Sequence, residues 1–236
     1  MKFLALYLRA PMQSWGVSSK FGERTTFDAP TRSGLLGMLA AACGVDKNDD
    51  ATDCAWLARA AKVSLCVLSF HRGDRITDYH TVGGGFNEDN PWQKRMIPTT
   101  ANGKPRGTDL THRDYLTDTV FGAVLAGDDV LLGEMAAKLA NPIWGVWLGR
   151  KSCIPTEPIL AGVFDSEDEA KNALAKRFCA SIERSNNGEN MGNAVAFSVL
   201  EATVEDAEET LLDVPVSFAR REFHARRIRR EYPEEE

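Results

Sequence analysis

Thr31-Arg32-Ser33-Gly34 stands where a run of small and apolar residues, Ser33 to Cys43, begins. A helix starting there turns free backbone N–H groups and the positive end of its dipole outward, so with Arg32 the segment can hold a phosphate. An ordinary Thr or Ser cap is the other reading. Arg24 precedes this helix by a few residues and can share the same anion. Arg150-Lys151 follows Gly149, whose missing side chain lets a backbone come close to a phosphate; a charged loop is the alternative. Lys94, Arg95, Lys104 and Arg106, followed by His112 and Arg113, make one loop-rich stretch basic. Trp15 offers a face worth about 1 to 3 kcal/mol against a stacked base, or it packs in the core. Gln13 and Ser14 beside it donate to phosphates and base edges, or satisfy a turn.

Other chemistries find less support. Tyr79, His80, His112, Arg113 and Tyr115 supply groups for acid–base attack by a ribose 2′-OH, yet no Lys-His pair forms a recognisable site. His71, His80, His112 and His224 lack metal-ligand spacing, and Gly83-Gly84-Gly85 lacks the lysine and hydroxyl of a phosphate-binding loop. The five cysteines, Cys43, Cys54, Cys66, Cys153 and Cys179, are odd in number and widely spaced. Neither disulfides nor structural zinc are expected. No catalytic residue, metal or cofactor is assigned.

The elements that must position these residues follow from periodicity. Lys2 to Arg9 is apolar at nearly every position, as in a strand covered on both faces. A helix over Ser33 to Cys43 ends at Gly44, and a shorter one covers Ala51 to Ala60. Val63 to Phe70 and Val120 to Leu125 read as strands, Asp128 caps a helix from about Val130 to Ala140, and Trp144 to Leu148 reads as a fourth strand. Strand, helix, strand, strand, helix, strand is the ferredoxin-like order of an α+β fold. The polar interval 71–118 between the second and third strands exceeds any ordinary hairpin loop. Beyond Pro158, Ser166-x-x-Glu169 is a capping box for a helix from Glu167 to about Phe178, Ser185 to Asn190 reads as a loop, and Ala194 to Ala202 and Pro215 to Arg221 read as strands. The expected division is a first domain over 1–160 with an insertion at 71–118, and a smaller β-rich lobe over 161–236.

The formal net charge of −6 argues at first against a nucleic-acid partner, but the distribution matters more. Acids gather at Asp165 to Glu169, Glu201 to Asp213 and Glu234 to Glu236, while bases gather in the stretches above and from Arg220 to Arg230. No apolar run is long enough to span a bilayer, and the start continues into a strand pattern, so a cytoplasmic protein is expected.

Three ordered motifs carry a family resemblance: Arg9 to Gly16 with Arg24-Thr25-Thr26 and Pro30 to Gly37; Asp78-Tyr79-His80-Thr81; and Gly149 to Pro158. They resemble the CasD family of CRISPR-associated RAMP-superfamily subunits, which cap the 5′ end of the guide RNA in type I-E Cascade complexes. The resemblance implies a ferredoxin-like (RRM-like, RAMP) core and a β-hairpin thumb at about 71–118 that reaches over RNA. It implies a non-catalytic crRNA-binding subunit for antiviral defence, with the alternative of a metal-independent endoribonuclease acting on repeat RNA. The implied partners are the crRNA 5′ handle, a CasC-like backbone subunit and a CasA-like large subunit, with target DNA met only through the assembled complex and no membrane. The RNA-binding set is Gln13, Ser14, Trp15, Arg24, Thr31, Arg32, Ser33, Lys94, Arg95, Lys104, Arg106, His112, Arg113, Arg150 and Lys151.

Overall fold

The apolar strand β1 (Lys2–Arg9) is buried at Phe3 to Leu8 because both of its edges and both of its faces are covered. In this computed structural model, which describes residues 1–20, 22–82, 89–94, 102–103, 109–183 and 195–233, β1 lies inside a seven-stranded sheet. Its antiparallel neighbours are β8 (Val120–Gly127), in register Lys2↔Gly127 to Arg9↔Val120, and β9 (Leu160–Phe164). Beyond β8 comes β5 (Ser64–His71), then β10 (Phe197–Glu201), β12 (Glu222–Glu231) and β11 (Glu209–Ser217), giving the order β11-β12-β10-β5-β8-β1-β9. Alternation along β1 sends Leu4, Leu6 and Leu8 to one core and Phe3, Ala5 and Tyr7 to the other.

Helices α1 (Arg32–Cys43) and α4 (Asp129–Ala140) fill the first face with Leu35, Leu36, Leu39, Leu132 and Met135. Helix α5 (Glu167–Glu183) covers the second with Ala170, Leu174 and Phe178, and the Tyr7 hydroxyl meets Ser181 Oγ at 3.1 Å beneath it. Local signals set these helix ends. Thr31 Oγ1 accepts the Gly34 N–H, and Gly44, at φ 74°, closes α1 with its own N–H on Ala41 O and that of Val45 on Ala40 O. Asp128 caps α4, and Ser166 Oγ accepts the Glu169 N–H at 3.2 Å. Glu169 reaches back to the Asp165 N–H, one residue before the cap. Helix α2 (Asp50–Ala60), capped by Asp49, lies against α1 and β11.

A second sheet stands on the first. It runs β2 (Met12–Gln13), β7 (Asp109–Thr117), β4 (Glu23–Phe27), β3 (Trp15–Lys20), with β6 (Asp74–Val82) on β7. Strands β6 and β7 pair antiparallel from Asp74↔Thr117 to Val82↔Asp109, so the long polar interval is built on a two-stranded ribbon. The short helix α3 (Pro91–Lys94) is described within it. Arg95, Lys104, Arg106, Gly83 to Gly85 and the Ser185 to Asn190 loop lie outside the described residues.

Four expectations change. Trp144 to Leu148 forms no strand; the outer neighbour of β1 is β9 instead. The apolar residues of 143–148 serve instead as a cover, with the Ile143 and Trp144 N–H groups on Ala42 O and Ala41 O at the end of α1. Helix α5 runs past Phe178 to Glu183. Strand β11 ends at Ser217, four residues short of Arg221, which sits at φ 55° in the turn to β12. The basic run near the end is the strand β12 itself, whose Arg226 and Ile228 are buried. Across residue 160 the large sheet is continuous, since β9 pairs with β1 and β10 with β5. Among the described residues no helix is long and apolar enough to cross a membrane.

Candidate nucleic-acid interface

Where the two sheets meet, a cavity of about 330 Å³ opens between the start of α1, strands β3 and β4, the Gly149-Arg150 loop and the β11–β12 turn. Gly149 makes this junction possible. Its backbone is at φ 97°, and a Cβ there would lie 1.7 Å from Ser14 O, so only glycine lets the loop touch the 14–16 segment. The Ser14 N–H donates to Leu148 O at 3.1 Å and Ser14 Oγ to Asp114 O at 3.2 Å. The close approach is therefore to the protein's own backbone rather than to an open phosphate site.

Arg150 is fixed on three sides. Its Nη1 donates to Asp114 O and its Nη2 to Arg24 O, each at 2.9 Å, and the guanidinium stacks 4.6 Å from the centre of the Tyr115 ring. These acceptors are carbonyl oxygens, so the bonds orient the cation without neutralising it. Next to it, the parallel pairing of β4 with β7 sets Arg24 directly beside Arg113. Like charges on facing positions of neighbouring strands repel. Arg113 and Tyr115 share one face of β7, and His112 takes the other by alternation, where it meets Tyr79 at a ring separation of 5.4 Å. Arg24, Arg113 and Arg150 thus stand near one another, with Asp78 facing Arg113 from β6 and Thr111 Oγ1 taking Arg113 Nε at 3.1 Å.

Several residues named from the sequence do not face this cavity. Trp15 is fully buried; its ring packs against Gly34, where a Cβ would come within 2.8 Å, and its Nε1 donates to Gln13 Oε1 at 3.1 Å. Gln13 is equally buried, with its amide on Leu8 O and Thr119 O. Both hold the cavity wall from behind, and neither is open to a base. Arg32 turns away: its guanidinium pairs with Glu201 and donates to Ala61 O and Val63 O in the interior. The positive end of α1 is already met by the protein, since Asp213 Oδ2 accepts the Arg32 N–H at 2.8 Å. Thr31 is spent as the cap; it lines the cavity together with Ser33 and Gly34, and the Ser33 hydroxyl lies 3.5 Å from Thr31 Oγ1. Lys151 is exposed, 5.8 Å from the Trp147 ring. Of Lys94 only the backbone is described.

Sequence reasoning missed Phe218 and Phe223. Both line the cavity; Phe218 also lies over Gly37 of α1, where a Cβ would be 3.6 Å from its Cζ. The turn carrying them is tied to α2 by the Phe218 N–H on Asp53 Oδ2 at 2.7 Å and by the ion pair of Arg220 with Asp50. The available signal was Phe218-Ala219-Arg220-Arg221-Glu222-Phe223, aromatics interleaved with bases. Among the described residues no group of three His, Cys, Asp or Glu side chains gathers to hold a metal.

Comparison with known proteins places this architecture. The chain is 29% identical over 231 residues to the CRISPR system Cascade subunit CasD of Escherichia coli (strain K12), covering 94% of each. It superposes on a solved chain of a CRISPR RNA-guided surveillance complex with a TM-score of 0.73 at 30% identity, covering 98% of this chain and 89% of that one. A crystal structure of a Cas protein matches with a TM-score of 0.65 at 26% identity, over 98% and 94% of the two chains. The model of the family described as CRISPR-associated protein (Cas_Cas5) matches residues 3–231, nearly the whole chain, and the protein belongs to that CRISPR-associated family.

Proposed function

We propose that this protein is a non-catalytic crRNA-binding subunit of a type I-E Cascade complex, holding the 5′ handle of the guide RNA. The observation that carries the reading is the placement of Arg24 beside Arg113 on neighbouring strands, with Arg150 alongside and oriented by the backbone carbonyls of Asp114 and Arg24. Phosphate contacts position a nucleic acid, and single-stranded RNA adds stacking on aromatic rings, for which Phe218 and Phe223 line the same cavity. The 29% identity to a Cascade subunit and the likeness to a chain of an RNA-guided surveillance complex support the assembly.

The strands β9, β1, β8 and β5 are adjacent in that order and all antiparallel, which supports a ferredoxin-like core in which β1, β5, β8 and β9 are the first to fourth strands. The β6–β7 ribbon supports a thumb carrying Lys94, Arg95, Lys104 and Arg106 toward RNA and toward a CasC-like backbone subunit. A CasA-like large subunit docks on another face, and target DNA is met only through the assembly, in the cytoplasm. The segment after 160 serves as a smaller lobe that widens the sheet through β10, β11 and β12.

The endoribonuclease alternative has one observation in its favour, the contact of Tyr79 with His112. The alternation of β7 works against it. His112 and the Arg113 face are on opposite sides of one strand, so a base and the charge that would stabilise a developing oxyanion are not brought together. Incubating purified protein with labelled repeat RNA in EDTA tests this: intact RNA that is bound and retained in the reconstituted complex fits the binding role, and cleavage lost in His112→Ala contradicts it.

A further inference from the structure

The start of α1 separates two cavities. Thr31, Ser33 and Gly34 border the one described above, while Arg32, about 100° further round the helix, borders another of about 320 Å³ between the end of α2 and strands β10 to β12. Arg32, Lys62, Arg226 and Arg227 line it, against the single carboxylate of Glu201. Behind them Asp213 takes Arg226 Nε at 3.0 Å and Nη2 at 2.7 Å as well as the Arg32 N–H, so its one negative charge is shared between both arginines. Arg32 Nη1 pairs with Glu201, and Nη2 is used on backbone carbonyls. Arg32 Nε and Arg226 Nη1 remain buried with no acceptor among the described residues, on side chains only 5% and 6% exposed. Burial, with the Arg226 charge adding to it, pulls the Arg32 guanidinium below its ordinary range. Positive charge at this place exceeds what the protein's own acids answer.

We propose that this cavity is a second anion site, taking an oxyanion of the phosphate class. Lys62 and Arg227, both exposed, contact the anion at the rim, and the buried guanidiniums of Arg32 and Arg226 supply the field behind it. A surplus of more than one positive charge, with donors converging from α2 and β12, suits a dianionic tetrahedral group better than a single carboxylate. The site does not rest on the RNA reading of the first cavity. Two sources share the chemistry, a backbone phosphate of RNA and free inorganic phosphate.

Thermal unfolding of the full-length protein in inorganic phosphate, against sodium chloride at equal ionic strength, tests the site. A ligand bound only by the folded state raises Tm as its concentration grows. Wild type and the charge-keeping K62R/R227K variant should show a phosphate-specific rise, and K62A/R227A should lose it while keeping its Tm in chloride. The same scan with guide RNA bound separates the sources: a rise abolished by RNA, with several-fold weaker RNA binding by K62A/R227A, assigns an RNA phosphate, and a rise that persists assigns free phosphate. Phosphate no more stabilising than chloride, or a rise unchanged in K62A/R227A, overturns the proposal.

Discussion

Two groups of arginines in this molecule have the same chemistry and opposite surroundings. Arg24, Arg113 and Arg150 are half-buried; Arg24 and Arg150 line an open cavity with Arg113 beside Arg24 on the next strand, and Arg150 is bonded to carbonyl oxygens and stacked on Tyr115. Arg32 and Arg226 are buried and engage carboxylates, Glu201 and Asp213. A carbonyl partner orients a guanidinium and leaves its charge unanswered; a buried carboxylate offsets part of the charge and ties the arginine into the framework. In the proposed reading the first group meets a polyanion, while the second ties α1 to β10, β11 and β12.

The largest expected effect breaks the second group. Arg226→Ala leaves the Asp213 carboxylate buried without its bidentate partner and should cost about 3 to 5 kcal/mol, read as a lowered urea midpoint. Trp15→Ala should cost a similar amount, about 3 to 5 kcal/mol, because a fully buried ring against Gly34 leaves a hole. Equal stability of either variant with wild type would remove its residue from the framework.

Gly149→Ala strikes the junction between the groups. The left-handed backbone alone adds about 1 to 3 kcal/mol, and the collision with Ser14 O must displace Arg150. Both the unfolding midpoint and RNA retention should fall together, whereas a variant that keeps full RNA binding would mean that the loop is not part of the site. Phe223→Ala gives the smallest effect, a loss of about 1 to 3 kcal/mol in RNA affinity with the salt dependence unchanged, as expected of stacking. A changed salt slope there would speak for a different contact.

How far the sequence reveals this comparison depends on the range of the forces involved. Strand β1, the helices α1 and α4 and the cap at Ser166 are written locally, in continuous apolar runs, in Thr31 and Asp128 before the helices, and in Gly44 after one of them. Strand β12 is hidden because arginines occupy its buried as well as its exposed positions, and the alternation becomes visible only when Arg226 is known to have Asp213. Trp144 to Leu148 misleads for the converse reason: its apolar residues cover the end of α1 instead of joining the sheet. The cationic character of Arg24, Arg113 and Arg150 is legible, but their assembly is not. Arg32 reads as a ligand from its place at a helix start, and its real partners, Asp213 and Glu201, are 181 and 169 residues away.

The most direct test of the central claim is the salt dependence of guide RNA binding by wild type and by the Arg24→Ala/Arg113→Ala/Arg150→Ala variant. Each lost phosphate contact on a single strand should reduce the slope of log K against log salt by about 0.7. Binding should be weaker with a slope shallower by about 2, in a variant that stays folded by circular dichroism. A folded variant with the wild-type slope would contradict it, for the three arginines would then not be the groups that meet the RNA backbone.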